Sequence, residues 1–398
     1  MNGVAPPARW RLGPPYAAPQ GQSASFVELF FDLVFVFALT EVTALTLEHL
    51  DWSGAARSLL IFWMIWWAWT QWTWALNPSD TEHAVVRVTT LVATAVAFIM
   101  AASVGLAFDA DTGMWFAIPY VAVRAIGMAI YLVVASGRDD QLVAVRNFTL
   151  ASIPGRVVVI VGGFVDADVR GWFFLVAIIL DIGATRVAGA ENWRLHAGHF
   201  AERHGLFVII ALGESLIVVG LIFAGVDRTA DVVRVAIGAV VVTCLLWWTY
   251  FGWLKDALEL QLEREPSNTE GELARDAYSL LHFLLIGGVI GIAIGFEEMV
   301  LHPDEHLETA GLVALTFGLV LFIGSGAMAW LRAGKQVLLP RLAVLAALVV
   351  ALVLAQDAQP PVGLAIVAVG VGTIALIEQL RNPMHHLAEA KRSSATAQ

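Results

Sequence analysis

The run Phe26-Val-Glu-Leu-Phe-Phe-Asp-Leu-Val-Phe-Val-Phe-Ala-Leu-Thr-Glu41 is apolar enough to span a membrane, yet it carries three carboxylates, Glu28, Asp32 and Glu41. An ionised side chain at hydrocarbon depth costs roughly 2.5 to 3.5 kcal/mol on insertion scales, so such groups face a protein interior or a wet cavity rather than lipid. Glu28 and Asp32 stand four residues apart, about 40° around a helix and roughly 6 Å along it, and so share a face. Glu41 lies nine residues past Asp32, about half a circle away. A continuous helix with this pattern needs protein on both sides, which suits the inside of a bundle better than its rim.

The remainder of the chain agrees with that environment. Of 398 residues, 59% are hydrophobic and 14% charged, and the mean hydropathy is +0.75. These values define an all-α integral membrane protein and lie outside the range of soluble domains. The net charge of −11 argues against nucleic acid as a partner, and the single cysteine, Cys244, excludes an internal disulfide or a thiolate metal cluster. Residues 1–25 are rich in Pro, Ala and Gly and lack the apolar core of a signal peptide, so a flexible tail is expected there.

At about 20 residues per crossing, spans fall near 27–48, 55–76, 84–108, 113–135, 141–164, 171–189, 202–225, 230–253, 274–297, 309–330, 340–356 and 361–380, about twelve in all. Most of the 23 Lys and Arg residues then fall in connections on the side of the N-terminus. The other side receives Arg57, Arg170, Arg228 and Arg234, while Arg124 and Arg156 sit within spans. By the positive-inside rule both termini are cytoplasmic, in a multi-pass protein of the cytoplasmic membrane whose surroundings are lipid.

Self-similarity divides the chain. Phe26-Val-Glu28 matches Phe200-Ala-Glu202, and Ala38-Leu-Thr-Glu41 matches Ala211-Leu-Gly-Glu214. Trp66-Trp67-Ala-Trp69-Thr-Gln-Trp72 matches Trp247-Trp248-Thr-Tyr250-Phe-Gly-Trp253, aromatic for aromatic. The expectation is two six-helix repeats, 26–189 and 190–380. A charged cytoplasmic linker occupies 254–275, and a second tail occupies 381–398. Six is even, so the halves enter the membrane in the same orientation, an arrangement found in transporters.

The candidate site residues are the ionisable groups of these apolar segments: Glu28, Asp32 and Glu41, then Glu202 and Glu214, then Arg87, His282 and Glu297. Facing one cavity, such groups suit movement of protons or cations. Ion pairs that merely lock helices, such as Asp32 or Glu28 with Arg87, satisfy the same pattern. The tryptophans from Trp63 to Trp74 read as packing between helices before they read as a cation-binding surface. His196, His199 and Glu202 step by three, a spacing open to a metal, but nothing closes such a site, and no metal or other cofactor is expected. The chain has no Gly-x-Ser-x-Gly, no His-Glu-x-x-His and no phosphate-binding loop, which argues against an enzyme and leaves no catalytic residue to assign.

The motif Glu28-Leu-Phe-Phe-Asp32-Leu-Val-Phe-Val-Phe-Ala resembles the bacterial low temperature requirement A (LtrA) family. The likeness extends to Glu202-Arg203-His204-Gly205-Leu206-Phe207, to Leu212-Gly213-Glu214 and to the segment that opens with His282. The resemblance implies a multi-helix membrane protein connected with growth in the cold, a stress response. Phe31-Asp32-Leu-Val-Phe-Val-Phe-Ala is also similar to the first-helix signature of the lysosomal-type potassium channels, although Phe31 replaces a serine and Glu28 a basic residue. The leading expectation is transport of an ion or small solute along Asp32, Glu41, Glu214 and His282. The alternatives are a lipid-related enzyme or accessory protein of cold adaptation, and a cation channel.

Overall fold

The computed structural model describes residues 16–19, 21–136, 139–188, 193, 195–306 and 309–381. Most of both expected tails lies outside these residues, as do Arg138 and Arg194. Most of the described residues are helical, and no strand occurs among them beyond an isolated bridge between Ala17 and Ser79. The first helices are α1 (Phe26–Glu48), α2 (Trp52–Leu76), α3 (Ala84–Ala102), α4 (Met114–Ala135), α5 (Asp139–Ala151), α6 (Ile153–Phe164) and α7 (Ala167–Ala188). They are followed by α8 (Ala197–Gly225), α9 (Ala230–Phe251), α10 (Leu254–Arg264), α11 (Glu270–Leu273), α12 (Leu281–Leu301), α13 (Thr309–Gly334), α14 (Leu339–Leu354) and α15 (Pro360–Arg381). A 3-10 turn, Gly105–Phe108, follows α3, and a π-helical turn, Ala274–Leu280, leads into α12.

Each expected span overlaps helix among the described residues, although the one over 84–108 runs past the end of α3 at Ala102. Among the described residues nine helical segments are long and apolar enough to cross a membrane by length and composition. The expected spans outside this set fall on α2, whose indoles dilute its hydropathy, on α7, which carries Asp168, Arg170, Asp181 and Arg186, and on α14, which has 16 residues.

Local chemistry sets the ends and breaks. Asp51 caps α2 by accepting the Gly54 N–H at 2.7 Å, and Thr229 caps α9 through the Val232 N–H at 3.3 Å. The span expected over 141–164 is interrupted at Ser152, because Pro154 has no N–H and its ring collides with the preceding turn. Arg156, two residues on, binds the chain at the break. It donates to Thr149 O at 2.8 Å, Ser152 O at 3.3 Å and Ser152 Oγ at 2.6 Å.

The chain forms two compact units, Met1–Phe207 with Glu265–Glu272, and Val208–Arg264 with Leu273–Gln398. In the first, α1 packs on α2 and α3, α4 on α2, α3 and α6, and α7 on α5 and α6. Its pin is Arg170, which is 1% exposed although the sequence places it in a loop. Its guanidinium donates to Gly162 O (3.1 Å), Val165 O (2.9 Å), Ala107 O (3.0 Å) and Asp109 O (2.7 Å), the last carbonyls of α6 and of the 3-10 turn.

In the second unit α12 lies hard against α13, α9 against α15, and α14 between α13 and α15. A Cβ on Gly288 would stand 2.6 Å from Phe322 N and 2.7 Å from Gly318 O, so only glycine permits that approach. The segment read as a linker from 254 contributes α10, whose Leu254, Ala257, Leu258 and Leu262 are buried on one face against α9 and α13.

Arg170→Ala should lower the melting temperature in detergent, since each orphaned buried carbonyl costs roughly 1 to 3 kcal/mol. An unchanged melting curve would show that other donors replace the guanidinium. Gly288→Leu should cost more stability than Gly324→Leu, because a Cβ at Gly324 meets nothing within 4 Å. Equal losses would refute the close approach of α12 and α13.

Candidate functional site

The first unit buries a charged cluster built from two helices with matched spacing. Ser25 precedes α1, and its N–H and Oγ both donate to Glu28 Oε2 at 2.9 Å, so Glu28 serves the helix start as well as the cluster. Asp32 follows one turn later on the same face. On α8, His199 and Arg203 are likewise four apart. Arg203 Nη1 donates to Glu28 Oε1 at 3.0 Å and Nη2 donates to Asp32 Oδ1. His199 Nε2 lies 3.1 Å from Glu28 Oε1 and 3.2 Å from Oε2. From α2, Trp69 Nε1 donates to Asp32 Oδ1 at 2.7 Å, and the Arg203 guanidinium lies 5.8 Å from the centre of a Trp69 ring.

All four ionisable groups are buried: Glu28, Asp32 and Arg203 at 0% exposure and His199 at 3%. Water therefore screens none of them, and their mutual pairing has to offset several kcal/mol of desolvation per ion. Asn77, at the end of α2, completes the shell. Its Oδ1 accepts the His196 N–H at 2.8 Å, and its Nδ2 donates to His196 O at 3.0 Å and meets His199 Nδ1 at 3.3 Å. Two polar atoms of the cluster, Asp32 Oδ2 and Arg203 Nε, have no hydrogen-bond partner among the described residues.

The chain before α1 roofs this cluster. Ala18 N–H donates to Pro78 O (2.9 Å), Asp80 N–H to Tyr16 O (2.7 Å), and Gln22 Nε2 to Ser79 O (3.1 Å). Ala24 N–H donates to Glu202 Oε2 at 2.8 Å, so Glu202, one of the expected site carboxylates, holds the roof.

Glu28 and Asp32 are thus brought together, but with Arg203 rather than with Arg87. The latter sits a turn into α3 and pairs with Glu82 at the surface. An arginine on the neighbouring face of α8 satisfies both carboxylates at once, which one on α3 does not. Glu41, Glu214 and Glu297 are half-buried and stand outside the cluster. His282, in the second unit, is buried: its Nδ1 lies 2.9 Å from Ala277 O and its Nε2 2.7 Å from Tyr250 Oη. The donated Nδ1 proton leaves Nε2 to accept from the tyrosine. The π-helical turn supplies that carbonyl, an irregularity that recurs at functional sites. The open spacing of His196, His199 and Glu202 resolves otherwise, since His199 turns to Glu28 and Glu202 to Ala24. Among the described residues no group of three or more His, Cys, Asp or Glu is placed to hold a metal ion.

Arg203 and His199 are the members that sequence reasoning left out of the site. Their signal was present: two basic groups four apart on α8 mirror two acidic groups four apart on α1. A second buried pair joins α4 to α7, with Arg124 reaching Asp181 through Nη1 (2.5 Å) and Nη2 (2.8 Å) and Gln71 Oε1 through Nε (2.8 Å). In the other unit Arg341 pairs with Glu378 at 3.0 Å, and Trp253 Nε1 donates to the same carboxylate at 2.9 Å. The tryptophan run is largely buried packing, and Trp72 ties α2 to α4 through Val123 O at 2.9 Å.

Many long apolar helices around buried, paired charges define a multi-pass membrane protein. Residues 23–376 match the model of the family described as "Bacterial low temperature requirement A protein (LtrA)", and the chain belongs to that family. The chain is also similar to a protein of Rhizobium meliloti (strain 1021) named "Uncharacterized protein RA0937", with 29% identity over 328 residues, 79% of this chain and 78% of that one. No solved structure matches it.

Removing Arg203 leaves two buried acidic side chains without their cation. Arg203→Ala should therefore destabilise the protein by about 3 to 5 kcal/mol. Adding Glu28→Gln and Asp32→Asn to Arg203→Ala should restore part of the loss. Melting temperatures that fall further in the triple variant would show that the groups are not coupled.

Proposed function

We propose that this protein moves protons, alone or coupled to a small ion or solute, through the cytoplasmic membrane. The observation that carries the reading is the cluster Glu28, Asp32, His199 and Arg203: four ionisable groups buried inside apolar helices, with one oxygen of Asp32 lacking a partner among the described residues. A structural ion pair needs one acid and one base. The extra acid and the imidazole give this site a charge that changes by one when a proton arrives, which is what a proton carrier requires. Glu41, Glu214, His282 and Glu297 are retained as path groups, because each is an ionisable side chain in an apolar segment. Arg87 and Glu202 belong to the entrance.

The same reading takes the chain as about twelve crossings in two six-helix halves of like orientation, with both termini cytoplasmic. The loop charge supports it, and so do the matched aromatics of α2 and α9. A further parallel is chemical. The last helix of each half contributes a carboxylate to a buried arginine, Asp181 of α7 to Arg124 and Glu378 of α15 to Arg341. The helices before them also begin alike, Ile153-Pro154 in α6 and Leu339-Pro340 in α14.

Purified protein in liposomes enclosing a pH-sensitive dye, under imposed proton, potassium and sodium gradients, tests the proposal. Wild type should acidify the lumen faster than protein-free vesicles, and Asp32→Asn should abolish the difference. Rates indistinguishable from empty vesicles under every gradient would overturn it.

A further inference from the structure

The hydrogen bonds of the cluster assign its protons. The His196 backbone N–H can only donate, so the Asn77 atom it reaches at 2.8 Å is the amide oxygen, and the amide nitrogen faces His199 Nδ1. An amide nitrogen only donates, so His199 Nδ1 carries a lone pair. The imidazole is then neutral with its proton on Nε2, and it donates that proton to Glu28. With His199 neutral, one positive charge, Arg203, faces two carboxylates at zero exposure. Both ionised, they would leave a net negative charge buried without compensation, the arrangement that interiors exclude most strongly.

The two acids differ in how fully they are solvated by the protein. Glu28 receives donors on both oxygens: Arg203 on Oε1, and the Ser25 N–H, the Ser25 hydroxyl and His199 on Oε2. Asp32 receives Trp69 and Arg203 on Oδ1 and nothing among the described residues on Oδ2. A neutral hydroxyl is cheaper to leave unpaired in an interior than half of a carboxylate. We propose that Glu28 is the permanent counter-ion of Arg203, and that Asp32 is the proton-binding group, holding its proton on Oδ2 and releasing it from there. This deepens the transport reading and rests on it for its purpose, while the protonation state stands on the geometry alone.

Other charged groups near α1 do not disturb the count. On α3, Arg87 is paired with Glu82 and His83 Nδ1 caps the helix by accepting the Val85 N–H. On α2, Gln71 is taken by Arg124. On α8, His204 Nδ1 lies 2.9 Å from Phe200 O, and its ring meets Trp69 edge-on at 5.0 Å.

Infrared spectroscopy of the full-length protein in lipid, labelled with carboxyl-13C aspartate or glutamate in turn, reads the state directly. At neutral pH a carbonyl band of a protonated carboxylic acid should shift on aspartate labelling and disappear in Asp32→Asn. It should also disappear in Glu28→Gln, because Asp32 must then ionise to balance Arg203. No aspartate-sensitive band at neutral pH, or one that survives Asp32→Asn or Glu28→Gln, would overturn the assignment. The labelled wild type gives the first of these answers without any variant having to fold. Failure of transport is separable: an aspartate band with no proton flux leaves the assignment standing and removes the transport reading, and flux without the band does the reverse.

Discussion

The first unit depends on one guanidinium. Arg203 sits where α8 meets α1 and reaches both Glu28 and Asp32, so a single cation neutralises acids that would otherwise forbid α1 its position among apolar neighbours. The indole of Trp69 and the imidazole of His199 add donors from two further directions. Because the groups are wholly buried, their attraction is strong and their desolvation is costly. The arrangement is worthwhile only where it fixes a geometry or handles a charge.

Proton handling follows from asymmetry rather than from the presence of charge. Arg124 with Asp181 is balanced, one base against one acid, with both carboxylate oxygens occupied and further guanidinium donors going to Gln71 and Tyr120. Arg170 donates to four backbone carbonyls. These are fasteners between helices. At Asp32, by contrast, the acids outnumber the fixed cation, and one oxygen lacks a donor among the described residues. That difference separates a site that can exchange a proton from pairs that hold the bundle shut.

The environment of α1 was legible in the sequence because a carboxylate in an apolar run is costly in only one kind of place, lipid, and so must point away from it. The spacing of Glu28 and Asp32 made their common face legible as well. Arg87 was the wrong partner, because proximity in sequence to a span end says nothing of which helix lies alongside. Arg170 read as a loop charge, because carbonyl acceptors at helix ends have no sequence signature. The expected span over 141–164 ran through Pro154 unbroken, whereas the structure divides it into α5 and α6 at Ser152, and that Arg156 would bind carbonyls there depended on a turn geometry that no pattern displays.

By itself the sequence determined the solvent of this protein, its all-helical class and the rough limits of many of its helices, and the residues that had to be paired if they were buried. Those follow from hydrophobicity and helical period, which are properties of local composition. The tertiary structure decided who pairs with whom: Arg203 rather than Arg87, Asn77 setting the imidazole of His199, and one oxygen of Asp32 without a donor among the described residues. Each of these turns on distances of a few ångströms between helices far apart in the chain, and only packing sets such distances.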